Sequence, residues 1–297
     1  MSDGIIKLFH EQGFCLIKKE FFSKGEISEI KDEIKKTLHN LTIKKHSDTS
    51  VTVMGGKSVL IRRVTEHNEF IFDKINQLLQ NSEIKDFLKN TLGSNYKIPE
   101  VIYRHSEPGD TGLGIHQDAE NEHTMVVNLD DTSDIDGSTI FLKKSHQFFL
   151  IKKIFPNSSI SEKVSNKLIF LFNWIKGKSG DIGFFNNKVW HGRAGNKKDK
   201  MMASILIGFY PSGSIVRFSK NHTFFSESYL KKNEGEELAN RQNFNSGTEL
   251  LEDYDAKTYK IRKDEDFKNQ SSISKNYLSL KFLIFLIISK ILYTFKR

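Results

Sequence analysis

Gly114-Ile-His-Gln-Asp-Ala119 places an imidazole at His116 and a carboxylate at Asp118, one residue apart. On a strand, positions i and i+2 share a face, so both side chains can grip one object. With ten histidines in the chain, such a pair is weak by itself, and two polar side chains in a loop is the bland reading. One more His on a neighbouring strand would complete a set of two His and one carboxylate. That set leaves three coordination positions open, which suits non-haem Fe(II) binding a co-substrate and oxygen together. His191 is the candidate that stands out. It follows Gly180-Asp-Ile-Gly-Phe-Phe-Asn-Asn-Lys-Val-Trp190, which reads as a turn, a strand and a second turn, and it precedes the long β-like run 201–210. His10, His39, His46 and His67 sit in helical or polar N-terminal segments, and His222 in a polar stretch near the other end.

The elements that must position these residues divide the chain in two. Ser23-Lys-Gly-Glu26 is a capping box in front of Ile27, Ile30, Ile34 and Leu38, a spacing that predicts a helix over 24–39. Residues 13–17 read as a short strand, and 68–80 and 82–92 as helices, the latter ending at Gly93. From about residue 96 short apolar or alternating runs take over, at 98–105, 112–116, 123–129, 138–142, 181–185 and 201–210. Gly, Asp, Asn and Ser cluster between them, the pattern of a β-sandwich or barrel. The expected fold class is mainly β with flanking α. No internal repeat is present.

Composition narrows the partners. The 297 residues carry 45 basic against 37 acidic side chains, a net charge of +8, and 24 Phe to build a core. The lysines are interleaved with Asp and Glu rather than clustered, which argues against a nucleic-acid partner. Cys15, the one cysteine, lies between Phe14 and Leu16 and reads as a small buried hydrophobe. The N-terminus lacks the apolar stretch of a secretory signal, so a cytoplasmic setting is expected. Residues 214–276 read as a polar extension and 277–297 as an apolar C-terminal helix. The run 282–288 is too short to span a bilayer, which takes ~20 residues. It fits an interfacial anchor at the inner face of a membrane, or a helix docked on the protein itself or on a second subunit. Oligomeric state is not legible.

Several blocks in order resemble one known family, the phytanoyl-CoA dioxygenase family of Fe(II)/2-oxoglutarate oxygenases. Phe9-His-Glu-Gln-Gly-Phe-Cys-Leu-Ile17 followed by Phe22-Ser and the capped helix is similar to that family's opening. Gly114-Ile-His-Gln-Asp118 resembles its proximal metal motif. Asp136-Gly-Ser-Thr-Ile-Phe-Leu-Lys-Lys-Ser-His146 is similar to its Asn-Gly-x-Leu…Pro-Gly-Ser-His segment, with Lys143-Lys144 in place of Pro-Gly. Gly180-Asp…His191-Gly-Arg-Ala-Gly-Asn196 resembles its distal-His block. The match covers about residues 8 to 212. It implies a double-stranded β-helix, a cupin-like jelly-roll with the N-terminal helices packed outside, and an oxygenase domain over 1–213. It further implies His116, Asp118 and His191 as Fe(II) ligands, 2-oxoglutarate and O₂ as co-substrates, and His146 as a structural turn residue.

The pattern breaks ten or eleven residues beyond the distal His. There the family has an Arg whose fork binds the far carboxylate of 2-oxoglutarate, a pairing suited to a guanidinium. This chain has Met201 and Met202, so Met202-Ala-Ser204 stands in place of Arg-x-Ser. Three readings are open: another cation reaches in, the co-substrate is a less charged 2-oxo acid, or the fold binds metal without the family reaction. Lys200, Arg193, and Arg62 with Arg63 are the cations considered, and Ser204 is a candidate hydrogen-bonder to the carboxylate. Tyr103 and Arg104, on the strand before the Gly-rich turn Gly109-Asp-Thr-Gly-Leu-Gly114, are placed to face the pocket, and Asn128 to lie behind the metal. The expected activity is hydroxylation of a small-molecule or lipid-linked substrate with release of succinate and CO₂. The competing expectations are a non-catalytic metal-binding jelly-roll protein and a cupin-like metalloenzyme without 2-oxoglutarate.

Overall fold

The first strand, β1 (Phe14–Ile17), lies between two helices, α1 (Asp3–Gln12) and α2 (Lys24–Ile43). The sequence pattern assigns no helix to α1, whose Phe9 is nevertheless buried against the core. The capping box opens α2 as its spacing requires. The Ser23 amide donates to Glu26 Oε2 at 3.0 Å, and the Glu26 amide donates to Ser23 Oγ at 3.2 Å. Lys74 at 2.7 Å and the Ser23 amide hold the Glu26 carboxyl well below the usual carboxylate range. A Ser23→Ala protein is expected to lose about 1 kcal/mol of stability, read as a melting temperature lower by roughly 2–4 °C.

The computed structural model describes residues 3–17, 20–43, 51–54, 57–94, 96–98, 101–117, 122–147, 162–211 and 224–225. Asp118, nearly all of the polar extension and the whole 277–297 tail lie outside the described residues. Among the described residues, no helix is long and apolar enough to cross a membrane. Next along the chain after α2 come the helices α3 (Val64–His67), α4 (Glu69–Leu79) and α5 (Ser82–Thr91). The Asn68 and Asn81 side chains cap α4 and α5 by accepting from amides of their first turns.

The remaining strands are β2 (Val51–Met54), β3 (Ser58–Ile61), β4 (Tyr96–Ile98), β5 (Val101–Ser106), β6 (Leu113–His116), β7 (His123–Asn128), β8 (Thr139–Phe141), β9 (Asn173–Trp174), β10 (Ile182–Asn186), β11 (His191–Arg193), β12 (Met202–Pro211) and β13 (Phe224–Phe225). Among the described residues they form two antiparallel sheets. The larger runs β1-β10-β7-β12-β5-β3-β2, with β4 on β12 and β13 on β4, and the smaller runs β6-β11-β8-β9. Two such sheets make the cupin-like jelly-roll that the resemblance implies.

Strand β12 shows why the large sheet is two-sided. Ala203, Ile205, Ile207 and Phe209 are buried and pack with Ile30 and Ile34 of α2, Ile71 and Ile75 of α4, and Phe87 of α5 in one core. The alternate residues Ser204, Leu206, Gly208 and Tyr210 face the other way, as a period of two requires. The large sheet therefore carries a helix-packed core on its outer face and leaves its inner face for the small sheet. A second cluster of Val126, Phe141, Ile175, Phe185 and Val189 joins residues of both sheets. Cys15 is buried, and burial pushes its thiol up to about 12, so it behaves as the inert hydrophobe expected.

Two histidines of this scaffold are held neutral. His123 Nε2 donates to the Thr91 carbonyl at 3.3 Å, and His146 Nε2 donates to the His10 carbonyl at 2.9 Å. In each ring Nδ1 is buried with no hydrogen-bond partner among the described residues. Burial lowers both pKa values because a second ring proton would place an unpaired charge in the interior. A folded pKa below the unfolded value of about 6.5 means that the unfolded chain takes up the proton first. Their stabilising effect is therefore complete above about pH 6.5 and is lost as pH falls below it. The melting temperature should be flat from pH 7 to 8 and fall toward pH 5. A His123→Gln protein should show a shallower fall, and one as steep as the parent's would contradict the assignment.

Candidate functional site

His116 closes β6 and His191 opens β11, and the two are direct cross-strand partners in the small sheet. Their rings lie 4.6 Å apart, inclined at 51°. His116 Nδ1 stands 2.8 Å from the Gly114 carbonyl, and His191 Nδ1 2.8 Å from the Val189 carbonyl. A carbonyl only accepts, so both rings carry their proton on Nδ1, which makes Nε2 the ring nitrogen able to coordinate a metal. A backbone carbonyl bonded to the far ring nitrogen is also how metal-binding histidines are oriented. Both side chains line a cavity of about 380 Å³ walled by residues of the two sheets. The donor set therefore fits a divalent metal held by imidazoles, with a carboxylate still to be supplied.

Local backbone chemistry fixes this pairing. The register shifts between His191 and Arg193, whose partner is Leu113, so β6 carries a bulge opposite Gly192. A Cβ on Gly192 would stand 2.7 Å from the Leu113 carbonyl oxygen and 2.9 Å from that of Gly114. Only glycine permits that approach. Gly112 adopts φ +89°, and a Cβ there would lie 2.3 Å from the Arg193 carbonyl oxygen. Beside these strands, α6 (Glu162–Lys167) ties the bulge down: Ser165 Oγ accepts from the Ile115 amide, and Asn166 bonds Thr111 and Gly195. Phe185 packs against His191 with ring centroids 4.7 Å apart and lines the same cavity.

The other sequence-derived candidates separate. Ser204 is buried and accepts a hydrogen bond from Arg104, and Arg62 lines the cavity. Lys200 is a correction: it is exposed in the turn before β12 and is not among the cavity-lining residues. Arg193 is a second correction. It is only 3 % exposed, and its Nη2 pairs with Asp110 Oδ2 at 2.6 Å while its Nη1 bonds Ser58 Oγ. A fork committed to Asp110 is not available to a ligand. Asn128 is buried and donates to Thr132, away from the cavity lining. Trp190 is core, and His105 bonds the Tyr103 hydroxyl and Glu107.

Arg104 is a further cation lining the cavity. It projects from β5 into the cavity beside Ile102, and its Nη2 donates to Thr139 Oγ1 at 3.0 Å and Ser204 Oγ at 3.2 Å. Thr139 belongs to the small sheet, so this side chain bridges the two sheets. Burial, together with the charge of Arg193, pushes its pKa down to about 9, with Asp110 opposing the shift. At the other end of the cavity the wall is polar again. Glu122, Thr124, Asn187 and Tyr210 line it, with Thr124 Oγ1 donating to Asn187 Oδ1 at 2.9 Å. Gly208 clears room there, since a Cβ would stand 2.9 Å from Glu122 Oε1.

The family model for phytanoyl-CoA dioxygenase (PhyH) matches residues 9–202. A relative from Stutzerimonas stutzeri, the probable alpha-ketoglutarate-dependent hypophosphite dioxygenase, is 23 % identical over 219 residues, 67 % of this chain and 75 % of the relative. Among solved structures, HygX from Streptomyces hygroscopicus with nickel and 2-oxoglutarate bound is 14 % identical with a TM-score of 0.54, covering 72 % of this chain and 88 % of its own. The carbocyclase SnoK from nogalamycin biosynthesis is 12 % identical with a TM-score of 0.55, covering 74 % and 88 %. At such identities these structures bear on the fold alone. The family match spans well over half of the chain and includes the His116 and His191 strands, and with it the chain belongs to the phytanoyl-CoA dioxygenase family of Fe(II)/2-oxoglutarate-dependent oxygenases.

Proposed function

We propose that this protein hydroxylates a small organic molecule, using Fe(II), 2-oxoglutarate and O₂ and releasing succinate and CO₂. The observation that carries the reading is the cross-strand pair His116–His191 at the cavity, with both Nδ1 protons held by backbone carbonyls. These two imidazoles would hold the iron together with Asp118, which enters from the His-x-Asp spacing and the resemblance to the family's metal motif. Iron held there would supply the oxidising power for converting a substrate C–H to C–OH. The chain's own residues orient the ligands, shield one side with Phe185 and Leu206, and shape the space in which a substrate lies.

The cavity volume falls in the range of small-molecule pockets, ~300–1,000 Å³. Its far end offers a carboxylate, an amide and two hydroxyls at Glu122, Asn187, Thr124 and Tyr210. That lining suits a substrate bearing hydroxyl or amine groups near the carbon that reacts. A lipid-linked substrate would enter by such a polar head. The test is aerobic incubation of the full chain with Fe(II), 2-oxoglutarate and a panel of polyhydroxylated and amino compounds. The expected result is succinate formation matched by a product one oxygen atom heavier. Succinate release that no compound stimulates, with no oxygenated product, would go against the substrate class.

A further inference from the structure

We propose that Arg104, reaching across from β5, binds the distal carboxylate of 2-oxoglutarate beside Ser204, taking over the task of the arginine that the family places where Met202 stands here; this rests on the reading above that the cavity receives 2-oxoglutarate. The register makes the substitution of one strand for another possible. Ser204 is the direct cross-strand partner of Arg104, while Met202 is the partner of Ser106. Met202 and Ser204 share a face of β12, so Arg104 comes from the adjacent strand to a point one pleat along from the missing side chain.

Among the described residues no carboxylate pairs directly with Arg104, and Asp110, which acts on it through space, is bonded to Arg193. The hydrogen-bond partners of Arg104 are the neutral hydroxyls of Thr139 and Ser204, whereas the neighbouring Arg193 has Asp110 at 2.6 Å. A desolvated guanidinium is costly unless an anion meets it. With a pKa of about 9 it keeps its proton at neutral pH. Both hydroxyl oxygens accept from Nη2, which directs their own protons elsewhere. A carboxylate arriving at the fork would find the guanidinium and the Thr139 and Ser204 O–H groups as donors, the setting of a charge-assisted pairing. Arg62 is the competing cation in the cavity. It follows Ile61, the partner of Tyr103, and so lies one pleat further from Ser204.

The test compares 2-oxoglutarate with 2-oxopentanoate, which keeps the chelating end and has a methyl group for the distal carboxylate. Each acid is titrated anaerobically into the Fe(II)-loaded full chain while the visible charge-transfer band is followed. The wild type should prefer 2-oxoglutarate by on the order of 100-fold. Arg104→Gln should reduce that preference to within a few fold by weakening 2-oxoglutarate alone. Adding Met202→Arg to Arg104→Gln should restore part of it. Arg104→Gln that keeps the full preference, or Arg62→Gln that abolishes it instead, would overturn the proposal. If Arg104→Gln does not fold, Arg104→Lys carries the test. It should cut the preference about tenfold, and an unchanged preference counts against us. A wild type that shows the band with both acids and no preference overturns this inference alone. No band with either acid removes the iron reading and the inference with it.

Discussion

Replacing His191 by Ala should leave the fold intact and weaken Fe(II) binding on the order of 100-fold, with turnover lost at ordinary iron concentrations. The magnitude comes from metal-site energetics. A four-ligand structural zinc site is worth about 10–16 kcal/mol, so one ligand contributes roughly 3 kcal/mol. His191 is 5 % exposed and packs against the rings of His116 and Phe185 at the cavity wall. His116→Ala should behave alike. The measurement is Fe(II) affinity by competition with a chelator, beside a circular-dichroism spectrum of the same sample. A His191→Ala protein that binds Fe(II) like the parent would rule out the ligand assignment.

Asp110→Ala should be the most destabilising single change near the site. Asp110 is 3 % exposed and meets Arg193 at 2.6 Å, the Ser106 hydroxyl at 2.6 Å and the Gly112 amide at 3.3 Å. Removing it strands the Arg193 charge in the interior, a change that costs about 3–5 kcal/mol. Arg193 lies two residues beyond His191 on β11, so the loss should also loosen the His116–His191 pair. Chemical denaturation of Asp110→Ala against the wild type gives the first number. The double variant Asp110→Ala/Arg193→Met should recover much of the loss, because the penalty is that of an orphaned charge rather than of lost packing. If Asp110→Ala falls within 1 kcal/mol of wild type, or the double variant is no better than the single, the account of this pair is wrong.

Much of the architecture was legible because it rests on periodicity. The capped α2, the helices near 68–80 and 82–92, and β12 with its alternating faces follow from spacings of 3.6 and 2.0. The short strands β2 and β3 carry too few residues to show a period, and they gain their place only by pairing in series onto β5. At the site, His-x-Asp and a His after a turn name candidates, but their adjacency is a tertiary fact set by the bulge opposite Gly192. The cation was harder. Lys200 and Arg193 are close to Met202 in the chain, yet one points to solvent and the other belongs to Asp110. Arg104 is about a hundred residues away in sequence and adjacent only through the β5–β12 register. Its one local signal is the alternation with Ile102, which puts both on the cavity side.

The most direct test of the central claim is an anaerobic titration of the metal-free full chain with Fe(II) in the presence of 2-oxoglutarate. The account predicts one equivalent of iron bound and a weak visible charge-transfer band that appears only when both are present, and that is lost in His116→Ala and His191→Ala. A titration with no band, or a band of undiminished strength in either variant, would contradict it.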